Sequence, residues 1–142
     1  VTADDFEIQP RGARLFDIWR SKSPILTSMG AFDVEFHQAP DDELLRLAGE
    51  LVLYVSNQSE EVLDKVYEHY KSTSEHRYWM KSCDVPVGLE RKKVIPYLRS
   101  RTIVLFRDNQ GVTGSILINP QWDAEHKINL VLQNGALMLK PL

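Results

Sequence analysis

The side chains best able to do chemistry gather in Trp122-Asp123-Ala124-Glu125-His126, where two carboxylates and an imidazole stand close in sequence. The Glu-His pairing recurs at Glu68-His69 and Glu75-His76. Carboxylates and imidazoles move protons and ligate metals. A compact zinc site prefers histidines three to five residues apart on a helix, so that one turn presents both to the ion. His69 and His76 are seven apart. On one continuous helix their backbones are separated by ~10 Å along the axis, too far for easy sharing of one metal.

The pentapeptide reads most simply as scaffold. It precedes an alternating apolar run, and as a strand its even positions, Trp122, Ala124, His126, Ile128, Leu130 and Leu132, form one face. Asp123, Glu125, Lys127, Asn129, Val131 and Gln133 form the other. This predicts His126 as a neutral core histidine and Trp122 as an interface filler whose indole N–H needs an acceptor. Asp123 is expected to bond backbone amides where the strand begins after Pro120. Glu125 then faces outward, so Glu125 and His126 cannot serve one ion.

Other reaction signatures are missing from the sequence. None of the seven glycines falls in a phosphate-binding spacing, and Gly114-Ser115 lies inside an alternating strand rather than a nucleophile elbow. Cys83 is the single cysteine, which rules out an intramolecular disulfide. No catalytic residue, metal or cofactor is assigned on these grounds.

The elements that must position these residues follow from periodicity. Leu15, Phe16, Ile18 and Trp19 suggest a first strand, and Ile25-Leu26 a second, with a turn at Gly30. Phe32, Val34 and Phe36 alternate with polar residues as in a half-buried strand. Beyond Pro40, Leu44, Leu47, Ala48, Leu51, Val52 and Val55 form a helical stripe, with Asp41 and Asp42 as cap and first-turn acids. Ser59 is expected to cap a second helix carrying Val62, Leu63, Val66, Tyr67 and Tyr70. Residues 72–88 are the least legible. A short helix is expected at 94–99, with Pro96 confined to its first turn. Ile103 to Phe106, Val112 to Ile118, the motif strand and Ala136 to Leu139 then read as strands, with turns at Asp108 to Gly111 and Asn134-Gly135.

The chain has 142 residues, 43% hydrophobic and 26% charged, which predicts one soluble domain. The expected division is an N-terminal arm over 1–13 and a single domain over 14–142. The fold class is α/β, more strictly α+β: an antiparallel sheet with a helical hairpin over 41–72 packed on one face. No apolar run approaches the ~20 residues of a transmembrane helix, and no charged-then-apolar leader opens the sequence. A cytoplasmic protein with no membrane partner is the expectation.

The net charge of −3 conceals an asymmetry. Residues 1–80 hold 15 acidic and 8 basic residues, whereas 81–142 hold 5 and 9. Asp41, Asp42, Glu43, Glu60, Glu61, Asp64 and Glu68 crowd the helical region, near the ends that the break between helices is expected to bring together. Close like charges cost a few tenths of a kcal/mol per pair. Their density points to a cationic protein partner. A metal-binding domain or metal-dependent hydrolase using His126, His69 or His76 is the alternative. Nucleic-acid binding through Arg91, Lys92, Lys93, Arg99, Arg101 and Arg107 ranks third, because Phe106 sits in an apolar run and is expected to be buried.

Trp122-Asp123-Ala124-Glu125-His126, followed by Asn134-Gly135, resembles the signature of small bacterial domains of uncharacterised function carrying Trp-Asp-x-Glu-His-Gly. Val66-Tyr67-Glu68-His69-Tyr70 at the end of a helical pair, and Ile95 to Leu98 before the Ile103-Val104-Leu105 strand, fit the same order across residues 14–140. Lys127 replaces the glycine of that signature. If the glycine permits a bulge, this strand must be more regular. Members of the family look like immunity proteins of polymorphic toxin systems. The resemblance therefore implies an immunity-type protein that binds a cognate toxin with a basic active-site surface and occludes it. The acidic residues named above, with Tyr78 and Trp79 as aromatic anchors, are the expected contact set.

Overall fold

The computed structural model describes residues 1–9, 17–75 and 81–141. His76, Tyr78 and Trp79 lie outside these, as do Leu15 and Phe16 of the first expected strand. The architecture is α+β. Eight strands form one mixed, mostly antiparallel sheet, in the order β1 (Phe6–Ile8), β2 (Trp19–Ser21), β4 (Gly30–Phe36), β5 (Leu98–Asp108), β6 (Gly111–Pro120), β7 (Ile128–Gln133) and β8 (Ala136–Leu139). The remaining strand, β3 (Ile25–Thr27), shares the outer edge of β4 with β2.

One pairing departs from the expected antiparallel sheet. β4 and β5 run parallel, with Val34 opposite Ile103 and Phe36 opposite Leu105. Parallel neighbours need a long crossover. Here it consists of helix α1 (Asp42–Asn57), helix α2 (Ser59–Ser74) and a 3-10 helix over Arg91–Tyr97.

The helical face of the sheet carries Phe32, Val34 and Phe36 of β4, Ile103 and Leu105 of β5, Ile116 and Ile118 of β6, and Ile128 and Leu130 of β7, all buried. Helix α1 sets Leu44, Ala48, Leu51 and Val55 against them, packing over β3, β5 and β6. Helix α2 contributes Val62, Leu63, Val66 and Tyr70 and reaches β8 and the 3-10 helix. Burying each leucine or valine contributes roughly 1.5–3 kcal/mol, so these stripes hold the helices in place.

Several local details differ from the sequence expectations. Phe6–Ile8 forms an edge strand with Phe6 in the core, where an arm was expected. Asp41 does cap α1, its Oδ1 accepting from Leu44 N–H at 2.9 Å. Ser59 is the first residue of α2 rather than its cap, and its hydroxyl lies 2.7 Å from that of Ser28 in the β3–β4 turn. Pro96 falls near the end of its helix, not in the first turn. The β7–β8 turn is as expected: Asn134 and Gly135 both have positive φ, 51° and 77°, the type I′ requirement. No helix among the described residues is long and apolar enough to cross a membrane.

Candidate functional site

The pentapeptide is not a strand. β6 ends at Pro120, β7 begins at Ile128, and residues 121–127 form the loop between them. Trp122 is buried as expected, but Ala124 and His126 are exposed, and the His126 side chain retains 74% of its accessible surface. The cause is local. Asp123 Oδ1 accepts from the His126 backbone N–H at 3.1 Å and lies 3.0 Å from His126 Nδ1. This closes a turn and diverts the backbone from the ladder. Alternation resumes only where Ile128 and Leu130 enter the core. Asn129, expected to be polar and outward, is buried, and its amide oxygen has no hydrogen-bond partner.

Trp122 anchors the loop. Its indole N–H donates to His69 Nδ1 of α2 at 3.0 Å, and its ring stands edge-on to Tyr70. Tyr70 in turn donates to the carbonyl of Pro86 and accepts from Leu89 N–H. Gln121 closes the other side, its amide donating to Cys83 O at 3.1 Å and its backbone N–H to Tyr97 O at 2.8 Å. Between the loop and the end of α2 lies a hollow of about 440 Å³, bordered by Thr73, Ser82, Cys83, Asp123, Glu125 and His126. Asp123 therefore holds an exposed imidazole beside this recess, with Glu125 on the same rim. A carboxylate on Nδ1 orients an imidazole and leaves Nε2 for a ligand or a proton. Burial, with His126 nearby, holds the His69 imidazole below its usual pKa against the pull of Asp123. Among the described residues no three His, Cys, Asp or Glu side chains converge as a metal site.

The seven acidic residues are all exposed, but six of them form two groups rather than one, with Glu68 further along α2. Asp41, Asp42 and Glu43 stand at the start of α1, whereas Glu60, Glu61 and Asp64 lie beyond its far end. Sixteen helical residues separate the groups by ~24 Å. Most also have partners. Arg107 of β5 bonds Asp41 at 2.7 Å and Glu43 at 3.1 Å, and Arg91 bonds Glu60 at 2.5 Å and Asp64 at 3.1 Å. Tyr54 donates to Glu61, and burial together with that carboxylate pushes its hydroxyl up to about 12. Lys65 faces Glu68 at 3.7 Å. The scarcity of local lysines thus misled: most of the balancing cations arrive from elsewhere in the chain, Arg107 from β5 and Arg91 from the start of the 3-10 helix.

The same pairings weaken the basic set proposed for nucleic acid. Arg91 and Arg107 are occupied by carboxylates, while Arg101 packs over Gly30 and donates to Ala31 O and Leu98 O. Phe106 is half-buried rather than buried. On the sheet face away from the helices a second hollow, of about 410 Å³, holds a group the sequence did not single out. Arg20 bonds Glu35 through two nitrogens, and His37 Nε2 lies 3.6 Å from the same carboxylate. Alternation along β4 placed Glu35 on this face, but its pairing with Arg20 depends on the β2–β4 register.

Comparison of the chain with protein-family models, curated proteins and solved structures finds no match.

Proposed function

We propose that the chain is an immunity-type recognition protein that binds a basic bacterial toxin and occludes its active site. The observation that supports this is the charge left on the helical hairpin after its internal pairing. Residues 41–75 hold nine carboxylates and three Lys/Arg, so even with Arg91 and Arg107 docked the face keeps a charge of about −4. Such a face accelerates encounter with a cationic surface and rejects anionic ones. With the acids in two groups ~24 Å apart, the contact is a broad face, centred on α1 and the start of α2, rather than a single acidic tip. Asp42 carries the unpaired charge of the first group in this reading. Glu61, tied only to a neutral tyrosine hydroxyl, serves the second.

Identification of the neighbouring genes, followed by stopped-flow association of the chain with any toxin-like protein they encode, tests the reading. Asp42→Lys with Glu61→Lys should slow association at least tenfold at low salt and flatten its salt dependence. Unchanged rate and salt slope overturn the electrostatic mechanism, and lack of binding to that toxin overturns the immunity reading itself.

A second reading is favoured by one observation, the Asp123–His126 pair beside the 440 Å³ hollow. In this reading the hollow takes a small polar ligand or metal-bound substrate, with His126 as the contacting group. Elemental analysis of the purified protein, with His126→Ala as control, separates the two: stoichiometric zinc or manganese lost in the variant favours the second.

A further inference from the structure

Trp122 is only 2% exposed, and its indole nitrogen can donate but never accept. The His69 Nδ1 at 3.0 Å is therefore the acceptor, which fixes the imidazole as the neutral tautomer protonated on Nε2. His69 is itself half-buried and borders a shallow groove with Lys127, Leu139, Lys140 and Pro141. A solvent proton thus has a route to the ring.

We propose that His69 and Trp122 form an acid-released latch, in which protonation of His69 breaks its bond to the indole and frees the 121–127 loop from α2. A protonated ring carries N–H at both nitrogens, so Nδ1–H would confront the indole N–H, donor against donor. The buried indole would lose its acceptor, and an unsatisfied buried donor is costly enough to drive rearrangement. The groups around His69 set the balance. From the loop, Asp123 favours the charged ring and His126 opposes it. Lys127 before β7 and Lys140 after β8 share its groove and add positive charge. On α2, the Thr73 hydroxyl donates to the His69 carbonyl and leaves the ring alone. Burial sides with the neutral form, so the latch is closed at neutral pH.

Release would not unfold the loop as a whole. Gln121 keeps its bonds to Tyr97 O and Cys83 O, so the start of the loop stays fixed. The part beyond Trp122 carries Asp123, Glu125 and His126, and its displacement reshapes the rim of the 440 Å³ hollow. The latch is independent of which partner the chain binds.

The test is indole NMR on the full chain labelled with nitrogen-15 at tryptophan and histidine. Trp19→Phe and Trp79→Phe assign the Trp122 resonance by elimination among the three tryptophans. As pH falls from 7.5 to 5, we expect an upfield shift of the Trp122 indole proton that tracks the titration of His69, with the Trp19 indole unmoved. In His69→Asn, whose amide oxygen replaces Nδ1 as acceptor without titrating, the Trp122 resonance should stay constant. A Trp122 signal that is flat in the natural sequence while His69 titrates, or that moves equally in His69→Asn, overturns the latch. Should the variant fail to fold, the His69 ring nitrogens of the natural sequence, followed through the same pH range, decide. A proton arriving on Nδ1 in step with the Trp122 indole shift upholds the proposal, and a proton already on Nδ1 at pH 7.5, or one arriving with no indole shift, ends it.

Discussion

Gly114 of β6 lies directly beneath Leu51 of α1, and a Cβ on Gly114 would fall well inside the contact distance of Leu51 Cδ1, with Leu47 Cδ2 at 3.3 Å. The helix sits this close to the sheet because position 114 has no side chain. Gly114→Ala should therefore destabilise the protein by about 1–3 kcal/mol, the usual range for overpacking a core. Leu51→Ala in the same chain should recover part of that loss, since the cavity it opens receives the new methyl group. Urea unfolding of the two single variants and the double decides: strictly additive effects would mean the helix moves rather than clashes.

Acid should weaken the fold in two separable steps. His69 and Glu35 both have folded pKa values below their ordinary ones. Burial is the chief cause at His69, and hydrogen bonding to His37, then Arg20, at Glu35. A group depressed in this way contributes stability that is present above its unfolded pKa and lost as pH falls through its folded pKa. The loss from His69 begins as pH drops past 6.5, and that from Glu35 only past 4.5. Thermal midpoints measured from pH 8 to pH 3 should show both limbs, with His69→Asn removing the upper and Glu35→Gln reducing the lower. A single transition near pH 4 in the natural protein contradicts the upper step.

Asn129 should be replaceable at no cost. Its side-chain oxygen is buried without a partner, a state that typically penalises the fold by about 1–3 kcal/mol. Asn129→Leu keeps the branched outline, with somewhat larger end groups, and removes the orphan, so stability should hold or rise if the neighbours accommodate the methyls. Marked destabilisation would show that the amide makes a bond in solution, for example to bound water.

Asp41 combines two roles that substitution can separate. Its oxygens accept the Leu44 N–H and the Arg107 guanidinium, and both lower its pKa, the backbone bond more. Asn at this position still caps the helix but cannot form the ion pair. The thermal midpoint should fall in the order natural, Asp41→Asn, Asp41→Ala. The gap between the first two should close at about 1 M salt, where exposed pairs are screened. Equal midpoints for Asn and Ala would show that the cap contributes nothing.

Most of the architecture was readable because its signals are local. The stripe Leu44, Ala48, Leu51, Val55, the alternation Phe32, Val34, Phe36 and the Asn134-Gly135 turn each depend on residues a few positions apart. The candidate site was misread for a related reason. Alternation that is real from Ile128 onward was carried back across Trp122 to His126, although Pro120 and an aspartate three residues before the histidine already offered a turn. The Trp122–His69 bond spans 53 residues, and Arg107 reaches acids 64 and 66 positions away. No periodicity reports such pairings, because they exist only once the sheet has placed β5 and the loop beside the helices. Parallel β4–β5 pairing was equally hidden, since strand direction is decided by the crossover rather than by composition.

That crossover has a consequence for synthesis on the ribosome. The principal floor for α1 is β5 and β6, which are translated some 40 residues after the helix ends. Until they emerge, α1 has only β3 and α2 to pack against and β4 lacks its β5 neighbour, so the nascent chain carries exposed apolar surface through a long interval before the core can close. Chaperone demand during translation, and intolerance of premature stops anywhere before β6, are built into the order of the segments.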